Sequence, residues 1–68
     1  MNNIEVALAV VGKAAFEAGL KNKPIQPGEL VQVVVRREEL GGFDKLRREW
    51  LKDIARENWE NGRRQMLS

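Results

Sequence analysis

The residues best equipped for chemistry in this chain are its arginines. Arg36-Arg37, Arg47-Arg48 and Arg63-Arg64 occur as pairs and Arg56 stands alone. A guanidinium presents a planar fork of donors that matches a phosphate or a carboxylate. Arg47, Arg48, Arg63 and Arg64 are therefore the candidate contacts for a nucleic-acid backbone. Glu38, Glu39, Glu49, Asp53, Glu57 and Glu60 are interleaved with the arginines, and such mixing is equally the pattern of a solvated helix face. Two tryptophans, Trp50 and Trp59, lie nine residues apart. On a helix that places them on opposite sides, since nine steps of about 100° turn through about 180°.

Catalytic chemistry finds little to work with. The chain has no His, no Cys, no Thr and no Tyr, and Ser68 is its only Ser. No nucleophile and base can be paired, and the usual neutral-pH proton carrier is missing. The carboxylate pairs fall on charged stretches where nothing argues for the burial that would shift a pKa. A zinc site would need carboxylates alone, which zinc rarely accepts. No enzyme activity, metal or cofactor is expected. Gly41-Gly42 lacks the spacing of a phosphate-cradling glycine loop and reads as a turn between helices.

The elements that must carry these residues follow from periodicity. The chain has 68 residues and a net charge of +2, a length for one small domain over 1–68. Ile4, Leu8, Val11 and Ala15 recur at helical spacing, and Val6, Val10, Phe16 and Leu20 lie off that stripe. This predicts a helix over 3–21 buried on more than one face, with Asn2 or Asn3 as N-cap and Gly19 or Asn22 as its end. Ala7, Ala14 and Ala18 form a small-residue strip on it. Pro24 and Pro27 then break the helical pattern. Residues 29–40 carry Leu30, Val33, Val34, Arg37 and Leu40 at helical spacing, against a run of valines that favours strand. The expectation is a helix, with a short strand at 30–35 as the alternative.

After Gly41-Gly42 a third helix is predicted over 43–62, with Asp44 near its N-terminus. Its core stripe is read as Phe43, Leu46, Trp50 and Ile54. Asp44–Arg48, Lys45–Glu49 and Glu60–Arg64 sit at i,i+4 spacing, and Gly62 is expected to fray the end. The fold class is all-α, a small three-helix unit with a Pro-containing connector. A chain this short without disulfides commonly needs a partner or self-association for stability, and one or the other is expected here.

At "KPI" (23–25), "LGGFDKL" (40–46) and "WLKDIA" (50–55) the chain resembles the central part of ARID DNA-binding domains. The matching features are a Pro-Ile turn, a helix ending in Gly-Gly plus an aromatic, and a helix with a Trp before Ile-Ala, the family's Trp-x-x-Ile/Val-Ala being Trp-x-x-x-Ile-Ala here. The resemblance covers roughly half of the chain and implies a helical hairpin around Gly41-Gly42. The spacing from Leu46 to Trp50 is shorter than in that family, and the helix that would follow and enter the major groove has no counterpart. No DNA-contact residue carries over.

The function expected from the sequence is non-enzymatic. It is a small regulator, adaptor or inhibitor that binds a larger protein, of the size and composition common among phage and mobile-element accessory proteins. The candidate surface is Trp59 with Leu51, Ala55 and Met66, rimmed by Arg56 and Arg63. The alternatives are a DNA-binding regulator with a helix-turn-helix-like core and a structural assembly subunit. The N-terminal apolar stretch is interrupted by Glu5, Lys13 and Glu17, so it reads neither as a membrane span nor as a secretory signal. A cytoplasmic protein without membrane contact is expected.

Overall fold

A computed structural model of the chain describes residues 3–37 and 45–68. Three α-helices follow one another: α1 over Asn3–Leu20, α2 over Pro27–Arg37 and α3 over Lys45–Leu67. The fold is all-α, and among the described residues the valine-rich segment is helix, with no strand at 30–35. Glu38 to Asp44, with the expected Gly41-Gly42 turn, the Phe43 core position and the Asp44 pair, lie outside the described residues, as do the side chains of Asn2 and Asn3.

α1 ends by a mechanism visible in single atoms. Asn22 has φ of 55°, the left-handed region that Asn tolerates better than most residues. The Lys23 N–H donates to the Ala18 carbonyl at 2.8 Å, and the Asn22 N–H donates to that of Gly19 at 3.1 Å. This paired closure is the Schellman motif, and it satisfies carbonyls that the last turn would leave open. The connector then leads straight into α2. Pro27 occupies its first position, where a missing N–H costs nothing. The Gln26 carbonyl accepts from the Leu30 N–H at 2.9 Å.

Up-down-up topology makes α1 and α3 run parallel, and these two helices form the main contact of the fold. They meet backbone to backbone at a pair of glycines. A Cβ on Gly19 would collide with the Trp59 carbonyl oxygen, and one on Gly62 with the Phe16 carbonyl oxygen. Each would also lie 3.1 Å from the other glycine's Cα. Further along the pair, a Cβ on Gly12 would meet only the Asn58 side chain, at 3.6 Å. Gly62 therefore does not fray the helix. It is buried at the crossing, and α3 continues to Leu67.

The core is small and built of small residues. Ala7, Val11, Ala15, Val31, Val34, Leu51 and Ala55 are buried, and Leu51, Val11 and Val31 are the largest fully buried side chains. α1 is covered broadly, as its composition demands: among its described side chains only the row Glu5, Ala9, Lys13 and Glu17 is exposed. The close-approach strip is Ala7, Val11, Ala15 and Gly19 rather than Ala7, Ala14 and Ala18, the latter two being half-buried. On α2 the inward row is Val31 and Val34, and Val33 is exposed.

The largest correction falls on α3. Leu46 is 81% exposed and Trp50 45% exposed, whereas Leu51 and Ala55 are fully buried. Of the stripe expected to be core, Leu46 and Trp50 are exposed and Ile54 is half-buried, while the flanking Leu51 and Ala55 face inward. The cause is the glycine crossing. α1 can approach closely only where α3 presents small residues, so the row Leu51, Ala55 and Gly62 must turn inward. A face carrying Trp50 would hold the backbones apart.

Candidate functional site

The residues expected to bind a partner divide between the core and the C-terminal half of α3. Leu51 and Ala55 have no exposed surface and cannot contribute to a docking face of the folded chain. Trp59 is half-buried against the core. Its indole N–H donates to the Lys23 carbonyl at 2.7 Å. It thus fastens the connector to α3 and has spent its one polar handle inside the fold. A shallow depression of about 340 Å³ remains beside it, lined by Pro24, Ile25, Pro27, Arg56, Trp59 and Glu60. Arg56 is held by Asp53 at 2.8 Å. Met66 is 61% exposed and lies two turns beyond Trp59 on the same side, about 10 Å along the axis. Arg63 is half-exposed between them.

Nor do the four arginines proposed for a phosphate backbone form one patch. Arg47-Arg48 and Arg63-Arg64 are separated by about 24 Å of helix at 1.5 Å per residue. Arg64 is engaged locally, with Asn61 Oδ1 at 3.2 Å and Glu60 at 3.8 Å. Arg48 instead joins residues that the sequence did not single out. Arg36, Lys45, Arg48, Glu49 and Lys52 line a groove of about 830 Å³ between α2 and α3, together with Gly28, Val31, Gln32 and Val35. Lys52 donates to Glu49 at 3.0 Å. Glu49 therefore takes Lys52, and not Lys45 as the spacing implied. The hydrogen bond and charge of Lys52, helped by Lys45 and Arg56, hold the exposed Glu49 carboxyl below its usual range. The described lining thus holds four cations and one acid.

The other surface is apolar. Leu46, Trp50 and half-buried Ile54 recur every four residues along α3. The contact between Gly12 and Asn58 sets the register of the parallel pair. It brings the α1 row of Leu8, Gly12 and Phe16 alongside the α3 row of Ile54 and Asn58. On the opposite flank of α3, Lys52 lies against Gly28 and Trp59 reaches Lys23, so α2 and the connector cover that flank. The Trp50 face is consequently the side of the α1–α3 pair turned away from α2.

Among the described residues no group of acidic side chains converges in a way that would hold a metal ion. Among the described residues no buried side-chain nitrogen or oxygen lacks a partner, and no helix is long and apolar enough to cross a membrane. Comparison of the chain with protein-family models, curated proteins and solved structures found no match.

The signal that could have placed the surface was present in the sequence. Leu51, Ala55 and Gly62 on α3 answer Ala7, Val11, Ala15 and Gly19 on α1. Two helices bearing mostly small residues at spacings of four and seven are suited to close contact, and large residues off those rows are free to face elsewhere.

Proposed function

We propose that this protein is a small non-enzymatic regulator, adaptor or inhibitor that acts in the cytoplasm by binding another protein. One observation carries the reading: among the described residues Trp50 is not part of the core cluster. The buried residues described are Ala, Val, one Leu and glycines, while Trp50 is 45% and the neighbouring Leu46 81% exposed. Large aromatics left on a surface are the residues from which binding hot spots are made. A contiguous apolar stripe on so small a domain costs solubility unless something covers it. The binding surface in this proposal is the Leu46, Trp50 and Ile54 face, in place of the Trp59 face expected from the sequence.

The test is affinity capture from nuclease-treated lysate with the wild-type chain and with Trp50→Ala. Retention of a protein by the wild type and its loss in a folded Trp50→Ala variant are expected. Equal retention by both would exclude this face.

A second reading, nucleic-acid binding, is favoured by the groove between α2 and α3. Four cations converge there on a lining with a single acid. The contact set would be Arg36, Lys45, Arg48 and Lys52. Affinity for duplex DNA would then fall steeply with salt as counterions are released. The absence of binding at low salt would end this reading without touching the first. A structural assembly subunit is a form of the first reading in which the bound protein is part of a lattice.

A further inference from the structure

On the side of α3 away from Trp50, the groove between α2 and α3 has a rim and a floor of different chemistry. At one end the Lys52 Cε would lie 3.6 Å from a Cβ on Gly28. From that contact the two helices run antiparallel, so Arg36 and Lys45 share the other end of the lining and Arg48 falls between. Glu49, the one acid of the described lining, is taken by Lys52 at 3.0 Å. Arg36, Lys45 and Arg48 are exposed, and no second acid of the described lining answers them.

The floor is apolar. Half-buried Val35 lies there beside buried Val31, and the methylene stem of half-buried Lys52 adds to it where it passes Gly28. Arginines on the rim match carboxylates in a two-pronged fork, and the floor matches an aliphatic side chain. A phosphodiester backbone would satisfy the rim and leave the floor without an apolar partner.

We propose that this groove docks a short segment of a partner protein in which acidic residues flank an apolar one. Its volume of about 830 Å³ falls in the range of ligand pockets, about 300–1,000 Å³. From Gly28 to Arg36 it runs about 12 Å, the length of about four residues of extended chain. A segment fits it, and a folded surface does not. The proposal deepens the protein-binding reading but does not depend on the Trp50 face; with both surfaces in use the chain is a two-sided adaptor. Exposed ion pairs are individually weak and screened by salt, so the affinity is modest and falls as salt rises.

Fluorescence anisotropy with the full chain tests the proposal. The probe is a fluorescein-labelled hexapeptide of two leucines flanked on each side by two glutamates. The wild type should bind it at low salt. Arg36→Glu and Arg48→Glu should each raise the dissociation constant at least fivefold, with circular dichroism unchanged. Should either disturb the fold, Arg36→Gln and Arg48→Gln replace them. Alanine in place of the two leucines should weaken binding at least threefold, and glutamine in place of the glutamates should abolish it. Trp50→Ala should bind the peptide as the wild type does, so loss of capture through Trp50 and loss of the peptide are separate results. No binding at low salt overturns the proposal, as does binding indifferent to both arginines or to the leucines. A labelled single-stranded oligonucleotide of the same net charge that binds more tightly than the peptide also overturns it, and gives the groove to nucleic acid.

Discussion

Placing a single methyl group at the helix crossing gives a sharp test of the fold. Gly62→Ala brings two opposed effects. In an ordinary helix interior, replacing Gly by Ala stabilises by about 1 kcal/mol. Here the new Cβ would run into the Phe16 carbonyl oxygen and lie 3.0 Å from the Leu20 backbone nitrogen and 3.1 Å from the Gly19 Cα. All three are backbone atoms, which cannot swing aside as a side-chain end would, so α1 and α3 must separate. Overpacking of this kind costs about 3 kcal/mol at the upper end of the usual range. The net loss is about 2 kcal/mol, a large share of the roughly 3–5 kcal/mol that a domain of this size commands. Gly12→Ala is the matched control. Its Cβ would meet the Asn58 side chain at 3.6 Å, an ordinary contact, so the propensity gain should survive and the variant should be unchanged or more stable by up to about 1 kcal/mol. Urea denaturation followed by circular dichroism separates the two. A Gly62→Ala variant as stable as Gly12→Ala would refute the crossing and with it the inward turn of Leu51 and Ala55.

Leu51→Ala should cost about 3–4 kcal/mol, as for a fully buried Leu, and should leave little folded protein at 37 °C by near-UV circular dichroism. Asn22→Ala keeps a β-carbon in the left-handed region but removes the short polar side chain that makes this conformation tolerable for Asn, and should lose about 1 kcal/mol, whereas Asn22→Gly should be neutral or better in the same melt. Trp59→Phe keeps most of the packing but removes the donor to Lys23, a loss of about 1 kcal/mol, with faster amide exchange in the connector. The Glu49 carboxyl should titrate below the ordinary glutamate value in an NMR pH series and return to it in Lys52→Met. Because its folded pKa is depressed, the stabilising contribution is present above the unfolded value of about 4.3 and fades as pH falls through the folded one.

The architecture was legible because its signals are local. Pro24 and Pro27 mark the break between α1 and α2, and the valines of α2 stand at helical as well as strand spacing. The termination of α1 at Asn22 belongs to a short list of residues that accept positive φ. The orientation of α3 was harder to read, because two apolar rows compete for the core and the larger one loses. Hydrophobicity favours the row of Leu46, Trp50 and Ile54. Geometry favours Leu51, Ala55 and Gly62, because only they let α1 come close. That choice depends on the pairing of α1 with α3, which is a tertiary fact. The sequence-based surface inherited the error: it combined Leu51 and Ala55, which are core, with Trp59, which clamps the connector. The groove cations were hidden for a related reason. Arg36 and Lys45 are nine positions apart in the chain and converge only when α2 folds back along α3.

The central claim is that the outward face of α3 exists to be covered by protein. Photo-crosslinking from position 50 in living cells tests it directly, with a photoreactive phenylalanine analogue in place of Trp50 and the same analogue at exposed Glu17 as reference. The account predicts discrete protein adducts from position 50 that are absent from position 17. No adduct from position 50, or the same adducts from both positions, would contradict it.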